Sequence, residues 1–490
     1  MNVEEFTAER TGELLNFPRG FVNTFFVIYF VVGIALMAYT PPFQSADSFS
    51  HFDRTAGIAS GQLIASNRAD YSGSYLPEGL INLEDGFSTL PFNPNSRVTI
   101  SQFRDGWQES WSTPKVFVTY TTGGNLPFLY LPQVLGVLAG RLASKHVLVS
   151  YYLAAAFNFL LFIALARFAM LRLPRRLALP LGVFLVFPAV ISLATSLNPD
   201  ALLLALSVVF ATMCFLQYDA LPNGSDVVKI TAARGRGRGS TSHFDPYWLG
   251  FACLFLMAIQ KPPLAMLGLL LPIADLYSNL RRYMIRISLF AASVAVVFLI
   301  WTKFGSQGRA GPILGGGPEP FRQFTLLVRN PVRVVDVLWQ TTRTLGWLDV
   351  KQSIAGIAWL DVSFPTWFYV GLIVTFVVVL TSAIRFERRD LARFVGGLLV
   401  IVATVLATGF SLYILATPYG AATMYNIQGR YLLPMVPVLI VVLGLQTARR
   451  PPLKVVSRFV DEYAMISLVG LQLLVAAEYA VMIRLRYWVK

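Results

Sequence analysis

Ionisable residues are scarce in this sequence. Only 13% of its 490 residues are Asp, Glu, Lys or Arg, whereas soluble proteins carry roughly 25%. Hydrophobic residues make up 55% of the chain, and the mean hydropathy is +0.59. Because many apolar runs are also about 20 residues long, this deficit excludes an ordinary soluble protein. It predicts a polytopic α-helical membrane protein.

Cysteine and histidine are rare as well. Cys214 and Cys253 both lie in apolar runs, so the sequence predicts neither a structural disulfide nor a thiolate metal site. We assign no role to His146 and His243. The first apolar run, Phe21 to Tyr39, lacks a small-residue cleavage site, so we expect a membrane span there and no cleavable signal peptide.

Basic residues outnumber acidic ones, 40 to 26, which gives a formal net charge of +14. Nucleic acid could explain such a balance, as could the Arg-Gly run at 234–239. The basic clusters fall between the apolar runs, however, as the positive-inside rule predicts. We therefore expect no nucleic-acid partner, and a multi-pass membrane protein.

The apolar runs predict about 11 transmembrane helices, within a range of 10 to 13. The predicted spans are 21–39, 147–166, 177–196, 201–217, 248–259, 264–276, 287–301, 366–384, 395–415, 432–445 and 464–483. We divide the chain into a catalytic transmembrane domain at 1–450 and a C-terminal helix and tail at 451–490. This topology places Arg484, Arg486 and Lys490 outside, against the rule, so either one span is miscounted or the short tail is tolerated. No convincing internal repeat is present, which disfavours inverted-repeat transporters.

Two long segments, 41–126 and 304–365, are predicted on the outer side. The first carries eight acidic and five basic residues. The apolar run 125–143 is expected to lie in the outer interface, since a span there would place the following arginines outside. In the second segment, Arg322 and Arg329 lie on an amphipathic stretch and are expected at lipid headgroup phosphates.

Four ionisable residues follow the first span closely: Asp47, His51, Asp53 and Arg54. Ionisable residues at a bilayer edge are costly unless they are paired or used, so these four are functional candidates. We interpret Asp47 as a catalytic base, and the other three as substrate-binding. The alternatives are that Asp47 caps a helix, that His51 is a satisfied interfacial histidine, and that Asp53 and Arg54 form a surface pair of little energetic value.

Further polar residues adjoin other spans on the same predicted side, and we include them as substrate-binding candidates: Asn198, Asp200, Lys261, Asp349, Gln428, Arg430 and Tyr431. Asn198 with Pro199 is also a good helix start, and Lys261 and Arg430 could be snorkelling anchors. A carboxylate ringed by cations suits transfer from a lipid phosphate. The cations stabilise the leaving phosphate, and the carboxylate takes the proton of an incoming hydroxyl.

The layout resembles the GT-C superfamily of membrane glycosyltransferases, which use lipid-linked donors and carry an acidic catalytic residue after the first transmembrane helix. More closely, it resembles a GT-C-like bacterial polytopic membrane family of unknown function. The motifs that carry this likeness, over roughly 35–450, are Pro42, Asp47-Ser48-Phe49-Ser50-His51 and Gly61, Asn198-Pro199-Asp200, Lys261-Pro262, Gly346-Trp347 with Asp349, and Gln428-Gly429-Arg430-Tyr431. Ser48 replaces the family's second acidic residue, which argues against a paired-carboxylate or metal role.

The resemblance implies a membrane glycosyltransferase of the inverting type, located in the bacterial inner (plasma) membrane with its active site facing the periplasm or outside. It would move a sugar from a polyprenyl-phosphate donor to a cell-envelope glycan or lipid acceptor at the outer face, with Asp47 as general base. No cofactor is expected, and a divalent metal is left open but not indicated. The alternatives are a flippase or transporter of lipid-linked glycans, which needs essential charges at mid-membrane, and a non-catalytic scaffold of an envelope assembly complex.

Overall fold

The computed structural model describes residues 16–68, 71–219, 245–305, 319–384, 391–425, 427–444 and 454–488. Four features named from the sequence lie outside these ranges: the Arg-Gly run at 234–239, His243, the predicted domain boundary at 450 and Lys490. The division of the chain at 450 therefore stays a prediction.

The described chain is mostly helical, which confirms the predicted fold class of a helical polytopic protein. Its α-helices are α1 Arg19–Tyr39, α2 Ser48–Ala59, α3 Glu78–Phe87, α4 Ile100–Gln108, α5 Leu131–Ala143, α6 Val147–Met170, α7 Arg175–Leu185, α8 Pro188–Ala194, α9 Asp200–Asp219, α10 Pro246–Gln260, α11 Ile273–Ser278, α12 Leu280–Phe304, α13 Pro320–Arg329, α14 Pro331–Ala355, α15 Thr366–Ala383, α16 Leu391–Ala416, α17 Met435–Gly444 and α18 Lys454–Ile483. Short 3₁₀ segments cover Phe128–Tyr130, Pro262–Leu270 and Gly429–Tyr431, and a π turn covers Arg484–Trp488.

The sequence did not predict a small antiparallel sheet within segment 41–126. Its strands are β1 Ser66–Arg68, β2 Tyr71–Pro77 and β3 Lys115–Thr119, in the order β1-β2-β3. The register pairs Arg68 with Tyr71 and Tyr75 with Phe117. The fold is therefore predominantly, but not purely, α-helical.

Six described helices are long and apolar enough to cross a membrane: α1, α6, α9, α12, α16 and α18. A seventh candidate is the pair α7–α8, which corresponds to predicted span 177–196 but bends by 75°. The bend lies before Pro188, which lacks an amide hydrogen for the preceding turn. Predicted span 264–276 is likewise broken, into the 3₁₀ segment and α11 around Pro272. Shorter apolar stretches include Pro246–Gln260, Thr366–Thr381 and Met435–Gly444, so the predicted total of 11 is not established.

Contacts fix the relative directions of the long helices. Asn23 accepts a 2.7 Å hydrogen bond from Arg167, and Tyr151 accepts one of 2.8 Å from the backbone of Phe43, so α1 and α6 are antiparallel. Gln472 donates to the carbonyl of Phe25 at 3.4 Å, and Trp488 to that of Tyr39 at 3.0 Å. Helices α1 and α18 are therefore parallel.

The basic tail residue Arg486 is buried in an ion pair. Its guanidinium lies 2.7 Å from Asp361 and also donates to the carbonyls of Leu90 (2.6 Å) and Ser96 (3.4 Å). A paired, hydrogen-bonded arginine does not need to face the cytoplasm. The violation of the positive-inside rule at Arg486 therefore has a local explanation, since this end of α18 is tied to segment 41–126.

Helix α5 packs closely along α6, and its predicted place in the outer interface stays a prediction. A Cβ on Gly136 would come within 2.4 Å of Ala154, and one on Gly140 within 2.4 Å of Ser150. Because the later glycine of α5 meets the earlier residue of α6, α5 is antiparallel to the first half of α6. Its 13 residues span about 20 Å, less than the roughly 30 Å hydrocarbon core, so α5 does not cross a membrane by itself.

Candidate active site

Asp47 lies immediately before α2 with a left-handed backbone, φ 62° and ψ 12°. Asp tolerates this region better than most residues, although it is uncommon outside glycine. The residue occupies the N-cap position, but its side chain makes no capping bond. Its Oδ2 instead pairs with Nη2 of Arg430, 383 residues away. The capping alternative therefore does not account for this carboxylate.

The Gly429–Tyr431 turn holds Arg430 against α14. Ser353 Oγ donates to the carbonyl of Gly429 at 3.0 Å, and the Gly429 amide donates to Gln352 Oε1 at 3.2 Å. A Cβ on Gly429 would lie 2.3 Å from the Ser353 nitrogen, so only glycine allows this approach. Arg430 itself is buried, and its Nε and Nη1 have no hydrogen-bond partner.

A second ion pair lies next to the first. Lys261 Nζ is 2.7 Å from Oδ1 of Asp200, whose amide donates to Asn198 Oδ1 at 2.9 Å at the start of α9. The ring of Tyr431 contacts both cations: its centroid is 4.6 Å from Lys261 Nζ and 5.3 Å from Arg430 Cζ. Cations near an aromatic ring are attracted to its quadrupole. Two carboxylates and two cations thus form one cluster, called the four-charge cluster below.

The turn that carries Asp200 lies beside the middle of α6. Asn158, the twelfth of the 24 residues of α6, donates to the carbonyls of Ser196 (2.9 Å) and Asn198 (3.3 Å). Asn158 lies about 16 Å along the helix from Val147. The bend of the α7–α8 pair precedes this turn, and the predicted position of the turn at the outer edge of the membrane stays a prediction.

His51 belongs to a hydrogen-bond chain behind Asp47. Its Nδ1 lies 2.9 Å from the hydroxyl of Tyr130, which also accepts from Asn125 at 3.0 Å. Burial lowers the pKa of His51 to about 4, against the opposing attraction of Asp47, so the imidazole is neutral at pH 7. Sequence reasoning missed Tyr130 and Asn125, because a tyrosine in an apolar run and an asparagine after two glycines carry no specific signal.

The electrostatics of the cluster keep Asp47 ionised. Burial would raise the pKa of its carboxyl, but attraction and a hydrogen bond from Arg430 hold that pKa below its usual range. For Arg430, burial opposes the charge, yet the neighbouring groups, Tyr431, Asp47 and Asp200 among them, raise its pKa. The guanidinium therefore remains a permanent cation next to a carboxylate that can accept a proton.

A model of the family described as "Predicted membrane protein (DUF2142)" matches residues 30–439. The chain belongs to this family. The match covers most of the sequence, including all four members of the cluster. No curated protein sequence matches the chain.

Two crystal structures of ArnT from Cupriavidus metallidurans are similar to this DUF2142 protein at 13% identity, over 96% of this chain and 75% of that one. The TM-score is 0.38 for ArnT bound to undecaprenyl phosphate and 0.30 for the apo state.

Asp53 and Arg54 of this DUF2142 protein do not belong to the four-charge cluster. Arg54 is fully buried and donates to the carbonyls of Leu63 (2.8 Å) and Asn125 (2.9 Å). Asp53 is buried, its Oδ1 has no hydrogen-bond partner, and burial raises its pKa well above the usual range. Burial, and then repulsion from Asp53, does the same to Glu84. The two residues are therefore not a surface pair, and their contacts support segment 41–126; substrate binding by them stays a prediction.

The remaining candidates from the sequence are Asp349, Gln428, Asn198, Arg322 and Arg329. Asp349 contributes its carbonyl, which accepts from Ser353 at 2.8 Å, while burial raises the pKa of its carboxyl to about 6. Gln428 Oε1 and Asn198 Nδ2 are buried without partners. Arg322 pairs with Glu319 at 2.6 Å on the exposed side of α13, so its predicted lipid contact, like that of Arg329, stays a prediction.

Metal ligands are not clustered in the part of the chain that the structure describes: no group of three His, Cys, Asp or Glu side chains could hold an ion there. Cys214 and Cys253 are both buried, free thiols. The expectation that no cofactor is needed stays a prediction.

Proposed function

We propose that this protein is a membrane glycosyltransferase that moves a sugar from a polyprenyl-phosphate donor to a cell-envelope glycan or lipid acceptor. The observation that carries the proposal is the meeting of Asp47 with Arg430 and Lys261, from three distant parts of the chain, in one four-charge cluster. This transfer requires a base that takes the proton of the acceptor and cations that stabilise the leaving phosphate, and the cluster contains both.

The reaction follows from the chemistry of these groups. The acceptor oxygen attacks the anomeric carbon and passes its proton to a carboxylate oxygen of Asp47. The bond between the anomeric carbon and the phosphate oxygen breaks, and its electron pair leaves with the lipid phosphate. Arg430 and Lys261 stabilise that added charge. Attack opposite the leaving group inverts the anomeric configuration.

The arrangement of basic residues supports a site on the non-cytoplasmic face. Arg167 bonds to Asn23, and Asn16 donates to the carbonyl of Leu171 at 3.4 Å, so this arginine-rich end of α6 lies beside the start of α1. Asp47 follows the opposite end of α1. The positive-inside rule then assigns the arginine end to the cytoplasm and the four-charge cluster to the periplasmic, or outer, half.

One observation favours the transporter alternative. The turn before Asp200 lies beside the middle of α6, and ionisable groups at such depth are typical of substrate or ion pathways. Proteoliposomes loaded with a fluorescent polyprenyl-phosphate lipid distinguish the two functions. Movement between leaflets without sugar transfer would favour the transporter.

The enzyme proposal is tested with the full chain in nanodiscs and a panel of undecaprenyl-phosphate-linked sugars, with cell-envelope lipids and glycans as acceptors. Release of undecaprenyl phosphate and glycosylation of the acceptor are followed by mass spectrometry. Asp47→Asn keeps a residue that tolerates the left-handed backbone but removes the base, so we expect transfer to fall by at least 100-fold. Asp105→Asn makes the same chemical change at an exposed position of segment 41–126 and should leave transfer unchanged. Full activity of the Asp47 variant would refute the assignment.

A further inference from the structure

We propose that Asp47 and the donor phosphate compete for Arg430, so that the donor binds first and its binding releases Asp47 to act as the base. This inference rests on the proposed function and adds to it an order of binding. It follows from the charges, the exposure and the unpaired donors of the four-charge cluster.

The cluster has no spare positive charge before a ligand arrives. Arg430 is paired with Asp47, Lys261 is paired with Asp200, and His51 is neutral. A phosphate brings between one and two negative charges into this balanced site. Like charges in a desolvated site repel strongly, so tight binding requires one carboxylate to withdraw.

The exposure of the two carboxylates indicates which one withdraws. The Asp47 side chain is 44% exposed, whereas that of Asp200 is 13% exposed. Asp200 is also fixed at the start of α9, where its amide is capped by Asn198. Asp47 makes no side-chain cap, so rotation of its side chain toward solvent breaks only the contact with Arg430.

Arg430 has unused capacity for a phosphate. Only Nη2 contacts Asp47, while Nε and Nη1 are closed off from solvent and unpaired. Buried donors without partners are costly, and a guanidinium prefers two parallel bonds to an oxyanion. A phosphate that replaces Asp47 can satisfy donors that this single contact leaves empty.

The exchange has a consequence for catalysis. Next to Arg430 the pKa of Asp47 is held low, which makes the carboxylate a weak base. Once the phosphate occupies the guanidinium, that attraction is neutralised and the basicity of Asp47 recovers. An acceptor is therefore deprotonated efficiently only when a donor is present.

The test is equilibrium binding of undecaprenyl phosphate to the full chain in nanodiscs, with no sugar transfer involved. Asp47→Asn removes the competing charge, so we expect undecaprenyl phosphate to bind roughly 3- to 10-fold more tightly than to wild type. This ratio of dissociation constants corresponds to the free energy of an ion pair that is partly exposed to solvent. Asp47→Glu retains the charge and should stay close to wild type. Asp105→Asn serves as the unaffected control.

Arg430→Gln completes a double-mutant cycle. This variant should bind more weakly than wild type, and adding Asp47→Asn to it should change nothing further. Unchanged or weaker binding by Asp47→Asn, with weak binding by Arg430→Gln, would overturn the competition while leaving the phosphate site intact. Wild-type binding by Arg430→Gln would refute the phosphate site and hence the proposed function too. If Asp47→Asn does not give monodisperse protein, Asp47→Ser, which also removes the charge, replaces it.

Discussion

Gly429 offers a sharp test of how the fold positions the candidate site. In Gly429→Ala the new methyl would lie 2.3 Å from the Ser353 nitrogen and 2.4 Å from the Asp349 carbonyl oxygen. Both atoms belong to the backbone of α14, which cannot turn aside as a side chain could. To reach an ordinary contact of 3.4 Å, the turn must move by roughly 1 Å, and Arg430 moves with it.

A shift of this size has two expected effects. Overpacking should lower the free energy of unfolding by about 1–3 kcal/mol. Misplacement of a catalytic group by 1 Å costs about 100-fold in rate, so sugar transfer should fall by that factor, and binding of undecaprenyl phosphate should weaken. The assays are thermal unfolding in detergent, transfer by mass spectrometry and lipid binding in nanodiscs.

Gly346→Ala provides a matched control on α14 itself. A Cβ there meets only Thr342 Cγ2, at 3.5 Å, and alanine favours a helix over glycine. We expect unchanged transfer and equal or higher stability. Wild-type binding and stability for Gly429→Ala would refute the reasoning, because the turn would then not be fixed by its contact with α14.

Two further predictions concern stability. Glu84 has a raised pKa through burial, so the unfolded chain loses this proton at lower pH than the folded one. Stability should therefore fall as pH rises from the ordinary glutamate pKa toward the raised one. In thermal unfolding, Glu84→Gln should make that decline smaller and leave the part that is due to Asp53, and an unchanged decline would contradict the assignment. Arg486→Met should leave Asp361 buried and unpaired and destabilise the protein by about 3–5 kcal/mol, while exposed Arg104→Met should have little effect; equal melting temperatures for the two variants would contradict the anchoring role of Arg486.

The helical architecture could be predicted from the apolar runs of the sequence. The same runs allowed us to predict which distant polar residues lie on one side of the membrane. Asp47 follows the first apolar run and Arg430 precedes a late one, so a consistent topology places both at the same side of the membrane. Lys261 joined them by the same argument. That these residues touch depends on the Gly429 turn, whose close approach to α14 has no signature beyond a single glycine.

Other features could not be read from local patterns. The depth of Asp200 depends on the bend before Pro188, and a proline in an apolar run predicts neither the angle nor its direction. Arg486 conflicted with the charge rule because its partner, Asp361, is 125 residues away. The sequence offered Arg54 and Asp53 as substrate-binding residues or as a surface pair, and their burial was not predicted because charged residues are rarely buried completely.

The link between α18 and segment 41–126 bears on how the protein is made. The amide of Val98 donates to the carbonyl of Tyr487 at 2.9 Å, and Trp488 donates to the carbonyl of Tyr39. At 5–20 residues per second, translation separates Val98 from Tyr487 by roughly 20–80 s. During that time segment 41–126 exists without its contacts to α18. The interval between synthesis of Asp47 and synthesis of Arg430 is nearly as long. Assembly of the candidate site is therefore a late event in biogenesis, completed only after the helices between them have been inserted.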